Sequence, residues 1–391
     1  MLARDAGRER LLYWLALHLV PGLGARNSLR LIQVFGHPEA IFHASLTELR
    51  AAAPRIAKAV AEAIHSGLSF EDAAEELRRV EADGIEVVPY QDPRYPRLLK
   101  EIFDPPILLY VRGCTDLLNS HTMAVVGTRR PTAYGRAVAE KLSRDMVLAG
   151  LTHVSGMARG IDAISHRGAL DGGGSTVAVL GTGVDTPYPR ENGKLYDEIV
   201  ERGLVISQFP LGMTPFPQNF PLRNRIISGM SLGVLVVEGA QYSGSLITAR
   251  LAMEQDREVM AVPGPITSKP SWGPNLLIKD GAKLVQEAAD VIEELPLEAR
   301  SELRARENAA EQTAAAGALA AGSATNSIRE QATPTGRKVL SKLRVEEALH
   351  IDEIIRGCEE SSSEVLAALS ELELLGAVRQ HPGKHFVLAW R

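Results

Sequence analysis

Between residues 121 and about 294, short apolar runs alternate with longer stretches whose apolar residues recur at helical spacing. Continuous apolar runs bounded by turn residues are typical of strands covered on both faces. Alternation with helices predicts a mostly parallel α/β sheet, and right-handed crossovers place all strand-to-helix loops at one edge of it. The predicted strands are Met123–Gly127, Leu151–Ser155, Thr176–Gly181, Leu204–Ser207, Leu232–Glu238 and Val259–Pro263.

The first 80 residues have a helical pattern, with an apolar run at 11–20 and further apolar residues such as Leu29 and Ile32. The turn Pro-Gly-Leu-Gly at 21–24 predicts two helices joined by a hairpin, which resembles a SAM or helix-hairpin-helix unit. Backbone amides there, together with Arg26, could contact DNA phosphate. A tight turn without a ligand is the simpler interpretation, because Gly-x-Gly between helices is a weak signal.

Two strand-like runs, 85–88 and 107–111, flank a proline-punctuated loop and precede the alternating region. We therefore predict an N-terminal helical domain over 1–80 and an extended sheet domain over 81–297.

The last 94 residues form two regions that differ in composition and in periodicity. Residues 298–335 are rich in alanine and poor in large apolar side chains, which predicts a flexible linker; a loose helix is the alternative for its first part. Residues 336–391 regain periodicity as three helices followed by a β-hairpin, which is a winged-helix pattern. Because the third helix carries Glu364, Glu371 and Glu373 and no Lys or Arg, we expect this domain to bind protein or its own chain rather than DNA.

Composition narrows the class of protein. A chain of 391 residues predicts two or three domains, and a net charge of -5 requires that any anionic partner be held by a local patch. The two cysteines, Cys114 and Cys358, fit a reducing compartment. Arginines before the apolar run at 11–20 imitate a secretory signal, but Asp5 and Glu9 interrupt the pattern, and no run is long enough to span a bilayer. We predict a cytoplasmic protein with no membrane association.

The loops after the predicted strands are rich in glycine, hydroxyl groups and arginine. In an open α/β sheet, ligands bind outside the carboxyl ends of the strands, where glycines permit close approach and arginines and helix N-termini bind anions. These loops therefore predict a phosphate-binding edge. The residues concerned are Gly127, Thr128, Arg129, Ser155, Gly156, Arg159, Gly160, Gly244 and Ser245.

The sequence gives little support for nucleotide-cofactor binding or for acid/base catalysis. The first loop lacks G-x-G-x-x-G and the chain has no P-loop motif, so neither NAD nor ATP is expected, and no cofactor is predicted. His153 and His166 flank the second loop without a nucleophile, and His166 is interpreted as a structural helix residue. Glu238 is the best acid/base candidate, although a carboxylate at this position can equally cap a loop or orient an arginine.

Five segments of the chain stand out as motifs. They are Val126-Gly127-Thr128-Arg129, Ser155-Gly156-Met157-Ala158-Arg159-Gly160-Ile161-Asp162, Phe220-Pro221-Leu222-Arg223-Asn224-Arg225, Val237-Glu238 with Ser243-Gly244-Ser245-Leu246-Ile247-Thr248, and Ala261-Val262-Pro263-Gly264. These segments closely resemble the DprA (DNA processing protein A, also called Smf) family. The resemblance is strong over about 90 to 290 and weaker in the N-terminal region and the tail.

This resemblance implies a Rossmann-like domain that binds single-stranded DNA, protects incoming strands during natural transformation, helps load the RecA recombinase and forms homodimers. It implies DNA-binding roles for Arg129 and Arg159, with Arg223, Asn224 and Arg225 close to the same pocket. The chain departs from the family pattern at Gln208 and at Pro274, neither of which affects the two arginines.

The primary hypothesis is thus a binding protein without enzymatic activity. Its partners would be single-stranded DNA, RecA and a second copy of the chain. Tyr134, near the first loop, could stack on a base, although packing in its own helix is the favoured interpretation. The competing hypothesis is a nucleotide phosphoribohydrolase of the lonely-guy and lysine-decarboxylase-like type, which shares a Rossmann-like core but whose glycine motif is not reproduced here.

Overall fold

The computed structural model describes residues 2–305, 332–344, 348–358, 360–381 and 383–388. The chain divides into two compact units, Met1–Arg304 and Ala305–Arg391. No helix among the described residues is long and apolar enough to cross a membrane.

The first unit begins with helices packed through an apolar core. Gly22 and Gly24 adopt φ of 77° and 67°, a left-handed conformation that glycine tolerates and that closes the tight turn between the first two helices. Trp14 and Leu15 of the first helix pack with Leu31 of the second, and the same core continues onto one face of the sheet at Tyr110. The helices are α1 (Leu2–Leu19), α2 (Gly24–Phe35), α3 (Pro38–His43), α4 (Leu46–Ala52), α5 (Lys58–His65) and α6 (Phe70–Ala82).

A nine-stranded sheet follows these helices. Its strands are β1 (Glu86–Pro89), β2 (Leu108–Gly113), β3 (Thr122–Val126), β4 (Thr152–Ser155), β5 (Thr176–Gly183), β6 (Leu204–Phe209), β7 (Gly233–Val236), β8 (Glu258–Ala261) and β9 (Lys283–Leu284). Their spatial order is β1-β2-β6-β5-β4-β3-β7-β8-β9. Strands β1 and β2 pair antiparallel to each other, β2 pairs antiparallel to β6, and the seven strands from β6 to β9 are parallel. All six strands predicted in the alternating region are present, as β3 to β8.

Helices cover both faces of this sheet, which explains why every residue of the central strands β3, β4, β5 and β7 is buried. The helices of this region are α7 (Arg97–Glu101), α8 (Ala133–Leu148), α9 (Ile161–Asp171), α10 (Gly193–Arg202), α11 (Asn219–Gly229), α12 (Gly244–Glu254), α13 (Trp272–Lys279) and α14 (Ala288–Glu293). Side chains of α8, α9 and α10 pack on one face, and those of α11 and α12 pack on the other. The predicted Rossmann-like, mostly parallel α/β sheet and the helical N-terminal region are confirmed.

The direction of winding reverses beside β3. The chain passes from β3 through β4 and β5 to β6 in one direction, then crosses through α11 to β7, which pairs with β3 on its other side. The carboxyl ends of β3 and β7 therefore form the point at which the strand order reverses, where such sheets bind ligands.

The start of the predicted linker is helical. Residues 297–305 form α15, whose Ala299 and Leu303 are buried against the sheet unit. A helix therefore describes this part better than a flexible segment does, because Ala299 and Leu303 lie one turn apart and both pack in the apolar core. The predicted linker residues 306–331 lie outside the described residues.

The second unit contains α16 (Pro334–Lys342), α17 (Ile351–Cys358) and α18 (Ser362–Leu374), with a small sheet of β10 (Leu349–His350), β11 (Val378–His381) and β12 (His385–Leu388) in the order β10-β12-β11. These elements confirm the winged-helix prediction. Glu364 completes a capping box with Ser361 at the start of α18. The expectation that this domain binds protein stays a prediction.

Candidate nucleic-acid interface

An open cleft of about 350 Å³ lies at the carboxyl ends of β3 and β7. Three predicted loops meet there with the start of α11. The predicted site residues that line it are Gly127, Thr128, Arg129, Arg223, Asn224, Gly244 and Ser245. Gly156 and Arg159 line a small adjoining pocket of about 50 Å³ that shares Arg129 and Arg223 with the cleft.

The first loop is held rigidly under the cleft. A Cβ atom at Gly127 would lie 2.5 Å from Cγ1 of Ile161, so only glycine fits at this position without a shift. The backbone N–H of Thr128 donates to the carbonyl of Glu238 at 2.7 Å, which ties the end of β3 to the end of β7. The loop therefore presents its arginines from a fixed backbone.

Glu238 supports this loop. It is 1% exposed, and its two carboxylate oxygens accept hydrogen bonds from the backbone N–H (2.9 Å) and the hydroxyl group (2.5 Å) of Thr132, the N-cap residue of α8. Negative charge at a helix N-terminus is stabilising. Of the roles considered for Glu238, the structure therefore supports capping, and it places the carboxylate away from the cleft surface.

Arg129 is exposed and forms no hydrogen bond or ion pair with any described residue. Its guanidinium carbon lies 5.9 Å from the ring centroid of Phe220, and the ring of Tyr188 lies 5.6 Å from that of Phe220. A cation above an aromatic face, with a second ring beside it, provides both a partner for phosphate and a surface for a planar group.

The second loop, 155–160, packs tightly on the first. Gly160 has φ of 78°, and a Cβ atom there would lie 2.4 Å from the carbonyl oxygen of Thr128. Both the backbone conformation and the lack of space therefore require glycine at this position. Ser155 is fully buried, and its hydroxyl group donates to the carbonyl of Val125 at 2.7 Å. The structure thus places Ser155 within the sheet rather than in the cleft.

Arg159 is paired with a carboxylate. Its Nε and Nη2 donate to the two carboxylate oxygens of Glu191 at 2.6 Å and 2.7 Å, and both side chains are more than half exposed. These bonds raise the pKa of Arg159 and lower the pKa of Glu191. A DNA phosphate that binds Arg159 in the same bidentate geometry would have to displace Glu191.

Arg223 is a buried cation beneath the second loop. It is 4% exposed, its Nη1 donates to the carbonyl of Val179 at 2.6 Å, and its Nε has no hydrogen-bond partner among the described groups. Burial lowers the pKa of Arg223 to about 10 and raises the pKa of nearby Asp162. Arg223 therefore contributes a fixed positive charge and supports the loop backbone from below.

Arg225 points to the other side of α11. It donates to the carbonyl of Asp104 and, at 2.5 Å, to Oε1 of Gln208, and it lines a separate cavity of about 550 Å³ beside the hairpin between α1 and α2. Residues 223 and 225 are separated by about 200° around a helix, which is why they face different cavities. In that second cavity, the guanidinium carbon of Arg26 lies 3.9 Å from the ring centroid of Phe103.

The start of α12 closes the cleft on the β7 side. A Cβ atom at Gly244 would meet no atom within 4 Å, and the hydroxyl groups of Ser243 and Ser245 lie 2.7 Å apart. The first turn of α12 contains no acidic residue. Its unpaired N–H groups therefore add donors and partial positive charge to the cleft.

The buried histidines behind the second loop are structural. His153 and His166 both hydrogen-bond to the hydroxyl group of Thr176, at 3.4 Å and 2.6 Å, and their rings lie 5.7 Å apart. Burial lowers the pKa of His153 to about 3 and holds the pKa of His166 well below its usual value. No cluster of potential metal ligands occurs among the described residues.

Sequence reasoning missed three side chains that shape the site: Tyr188, Glu191 and the ring of Phe220. Phe220 lies in the same segment as Arg223 and belongs to the first turn of α11, which lines the cleft. Tyr188 and Glu191 come from the loop after β5, where only the glycines signal a ligand site in the sequence. The same loop also carries Arg190, an exposed arginine that makes no ion pair with a described residue.

Comparison with known proteins identifies the relatives of this chain. The family model for DNA recombination-mediator protein A matches residues 86–296, and the model for the DprA winged helix domain matches residues 323–384. The chain is 44% identical over 214 residues to DNA processing protein DprA of Bacillus subtilis, covering 54% of this chain and 72% of that protein. It is 36% identical over 312 residues to protein Smf of Synechocystis sp., covering 75% of this chain and 78% of that protein.

A solved structure agrees with these matches. The X-ray structure of DNA processing protein A from Streptococcus pneumoniae superposes with a TM-score of 0.66 and 36% identity, covering 73% of this chain and 98% of that chain. Sequence motifs, family models and fold thus point the same way, and this chain belongs to the DprA/Smf family.

Proposed function

We propose that this chain binds single-stranded DNA at the cleft between β3 and β7, and that it acts as a binding protein without enzymatic activity. The observation that carries the proposal is Arg129, an exposed cation that makes no hydrogen bond or ion pair with a described residue and lies over the ring of Phe220 at the mouth of the cleft. Arginines and backbone amides bind phosphate, while an aromatic face binds an unstacked base.

The small pocket beside Arg129 favours a single strand over a duplex. Its walls are Tyr188, Phe220 and the glycine backbone at Gly156, and its volume is about 50 Å³. A planar base can reach such walls only when it is unpaired, since the bases of a duplex stay stacked inside the helix. Direct sequence reading in a groove would instead need a protruding helix or ribbon.

Membership of the DprA/Smf family supports a wider role. We propose that the bound strand is incoming DNA protected during natural transformation, that the protein helps load RecA onto it, and that the chain acts in the cytoplasm as a homodimer. The names of the matched relatives and family model refer to DNA processing and to mediation of recombination, which accords with this role.

The first test compares matched single- and double-stranded oligonucleotides at two salt concentrations. The Arg129→Ala/Arg159→Ala variant should bind single strands at least about tenfold more weakly, and its log–log salt slope should be lower by about 0.7 for each phosphate no longer neutralised. Arg144→Ala is the matched control, because Arg144 is an exposed arginine of α8 already paired with Glu140. Unchanged binding by the double variant would place the DNA site elsewhere.

Glu191 competes with DNA for Arg159 in this proposal. Glu191→Gln should therefore increase affinity for single strands by about two- to fivefold at low salt, because it removes a negative charge from the path of the phosphates. Glu198→Gln removes the same charge from another exposed ion pair, with Arg167 on α9, and controls for net charge. Equal effects of the two changes would show that Glu191 has no special role.

The phosphoribohydrolase hypothesis has less support. Its acid/base candidate, Glu238, is buried and accepts two hydrogen bonds from Thr132, so it is not available to a substrate in the cleft. Release of free base from a nucleoside monophosphate, measured by chromatography, would revive this hypothesis.

A further inference from the structure

Three segments beside the cleft, on the β7 and β8 side, form a surface that we call the rim. They are residues 128–137 after β3, 239–247 after β7 and 263–273 after β8, and their sequences contain no aspartate or glutamate. Besides Arg129, the rim carries Arg130, Arg136 and Lys269, which are exposed and make no ion pair with a described residue. In a chain with a net charge of -5, this is a concentrated positive surface.

The rim is continuous with the cleft. The backbone N–H of Gly239 donates to the carbonyl of Pro270 at 2.6 Å, and that of Gly273 donates to the carbonyl of Gly239 at 2.8 Å. The hydroxyl group of Tyr134 donates to the carbonyl of Pro263 at 2.8 Å, which joins the first segment to the third. Since the second segment also supplies the start of α12 to the cleft, a strand leaving the cleft meets the rim directly.

The rim also exposes aromatic and aliphatic side chains. Tyr242 is 89% exposed, Ile266 is 95% exposed and Trp272 is 41% exposed. Exposed apolar side chains that cluster beside a binding site mark an interaction surface. Together with the cations of the rim they provide what single-stranded nucleic acid requires, namely aromatic faces for bases and positive charge along the backbone.

The opposite side of the cleft offers fewer unpaired cations. There the loop after β5 places Glu191 on Arg159 and Asp185 on Arg79, and Arg190 is the exposed arginine of this loop that makes no ion pair with a described residue. The rim carries three such cations besides Arg129, so a strand that continues beyond the cleft meets more unpaired positive charge on the rim.

We propose that single-stranded DNA continues from the cleft across the rim, where bases stack on Tyr242 and Trp272 and phosphates lie near Arg130, Arg136 and Lys269. This inference rests on the proposed function of the cleft and extends it to further nucleotides of the same strand. The charge of the rim decides the class of partner: a surface with free cations and no acidic residue complements a nucleic acid, whereas a contact between two copies would set these cations against one another.

The test is the dependence of affinity on oligonucleotide length. A short oligo-dT that fills only the cleft, about 4 nucleotides, is compared with a longer one of about 12, within the range for single-strand sites. The Tyr242→Ala/Trp272→Ala variant should bind the longer strand at least about thirtyfold more weakly and the short strand as wild type does, because stacking on both aromatic residues is lost. Tyr242→Phe should keep wild-type affinity for both lengths.

Two controls make the result specific. Phe103→Ala removes another largely exposed aromatic residue, which lies under Arg26 beside the second cavity, and should leave both affinities unchanged. In a Trp390→Phe background, the fluorescence of Trp272 should be quenched by the long strand and not by the short one, while Trp14 is buried and should not respond.

The other outcomes distinguish a failure of the rim proposal from a failure of the proposed function. If the short strand binds through Arg129 and the longer strand gains nothing from Tyr242 and Trp272, the rim proposal is wrong and the proposed function stands. If the variant instead alters the sedimentation coefficient and not the affinity for either strand, the rim is a contact between copies of the chain. If wild-type protein binds neither strand, both proposals fail together.

Discussion

Replacing Gly156 with alanine is expected to lower the free energy of unfolding by about 3–5 kcal/mol, the combined cost of overpacking and of a broken buried hydrogen bond to a charged group. A Cβ atom at this position would lie 2.0 Å from Nη1 and 2.5 Å from Cζ of Arg223. That side chain is 4% exposed and is bonded to the carbonyl of Val179, so it has no room to retreat. Urea-induced unfolding followed by circular dichroism measures the difference.

The same substitution should also weaken binding of single strands, because the second loop and Arg223 form one wall of the pocket beside Arg129. Gly193→Ala is the matched control, since a Cβ at Gly193, the first residue of α10, would meet no atom within 4 Å. A Gly156→Ala variant as stable as Gly193→Ala would mean that the loop is not packed on Arg223 as described.

Acidification from pH 7 to pH 5 is expected to cost about 2 kcal/mol of stability through His153 alone, from a pKa of about 3 in the folded protein against 6.5 in the unfolded chain. Burial keeps this histidine neutral in the fold. The stability that depends on a neutral His153 is fully present above pH 6.5, where the histidine is neutral in both the folded and the unfolded state. This stability is lost progressively as the pH falls toward 3, because the unfolded chain binds a proton that the buried histidine does not bind. His166, whose pKa burial also lowers, acts in the same direction.

Equilibrium unfolding at several pH values measures this effect. His153→Gln removes the titration and keeps a polar side chain near Ser143 and Thr176, so the loss between pH 7 and pH 5 should shrink by about 2 kcal/mol. His37→Gln, at an exposed histidine, should keep the wild-type dependence. If both variants lose as much stability as wild type, protonation of His153 does not contribute to acid sensitivity.

Local pattern was sufficient for most of the architecture. The six predicted strands are present because each is a short run of the length of a strand, and turn residues mark its ends. The winged helix was predicted from three amphipathic helices and the β-hairpin that follows them. At the start of the predicted linker, composition left a helix open as the alternative, and 297–305 is helical because Ala299 and Leu303 pack in the apolar core of the sheet unit.

The candidate site was predictable to the level of its loops and less so at the level of its side chains. Gly127, Arg129, Gly156 and Gly160 lie where strand ends and glycines indicated. The roles of others depend on neighbours distant in sequence: Ser155 bonds to Val125 inside the sheet, and Arg159 is bound by Glu191. Nothing local to these residues indicates such partners.

The parallel sheet, the edge at which its loops gather and the family are all predictable from the amino-acid sequence, because they depend on periodicity, on right-handed crossovers and on contiguous motifs. Which of the basic residues is available to a ligand depends on the folded arrangement of the chain. Arg129 is exposed and unpaired among the described residues, Arg223 is buried under Gly156, and Arg225 faces a different cavity. The physical reason is that burial and ion pairing are set by residues brought together through long-range packing, whereas a sequence motif specifies only which side chains are present.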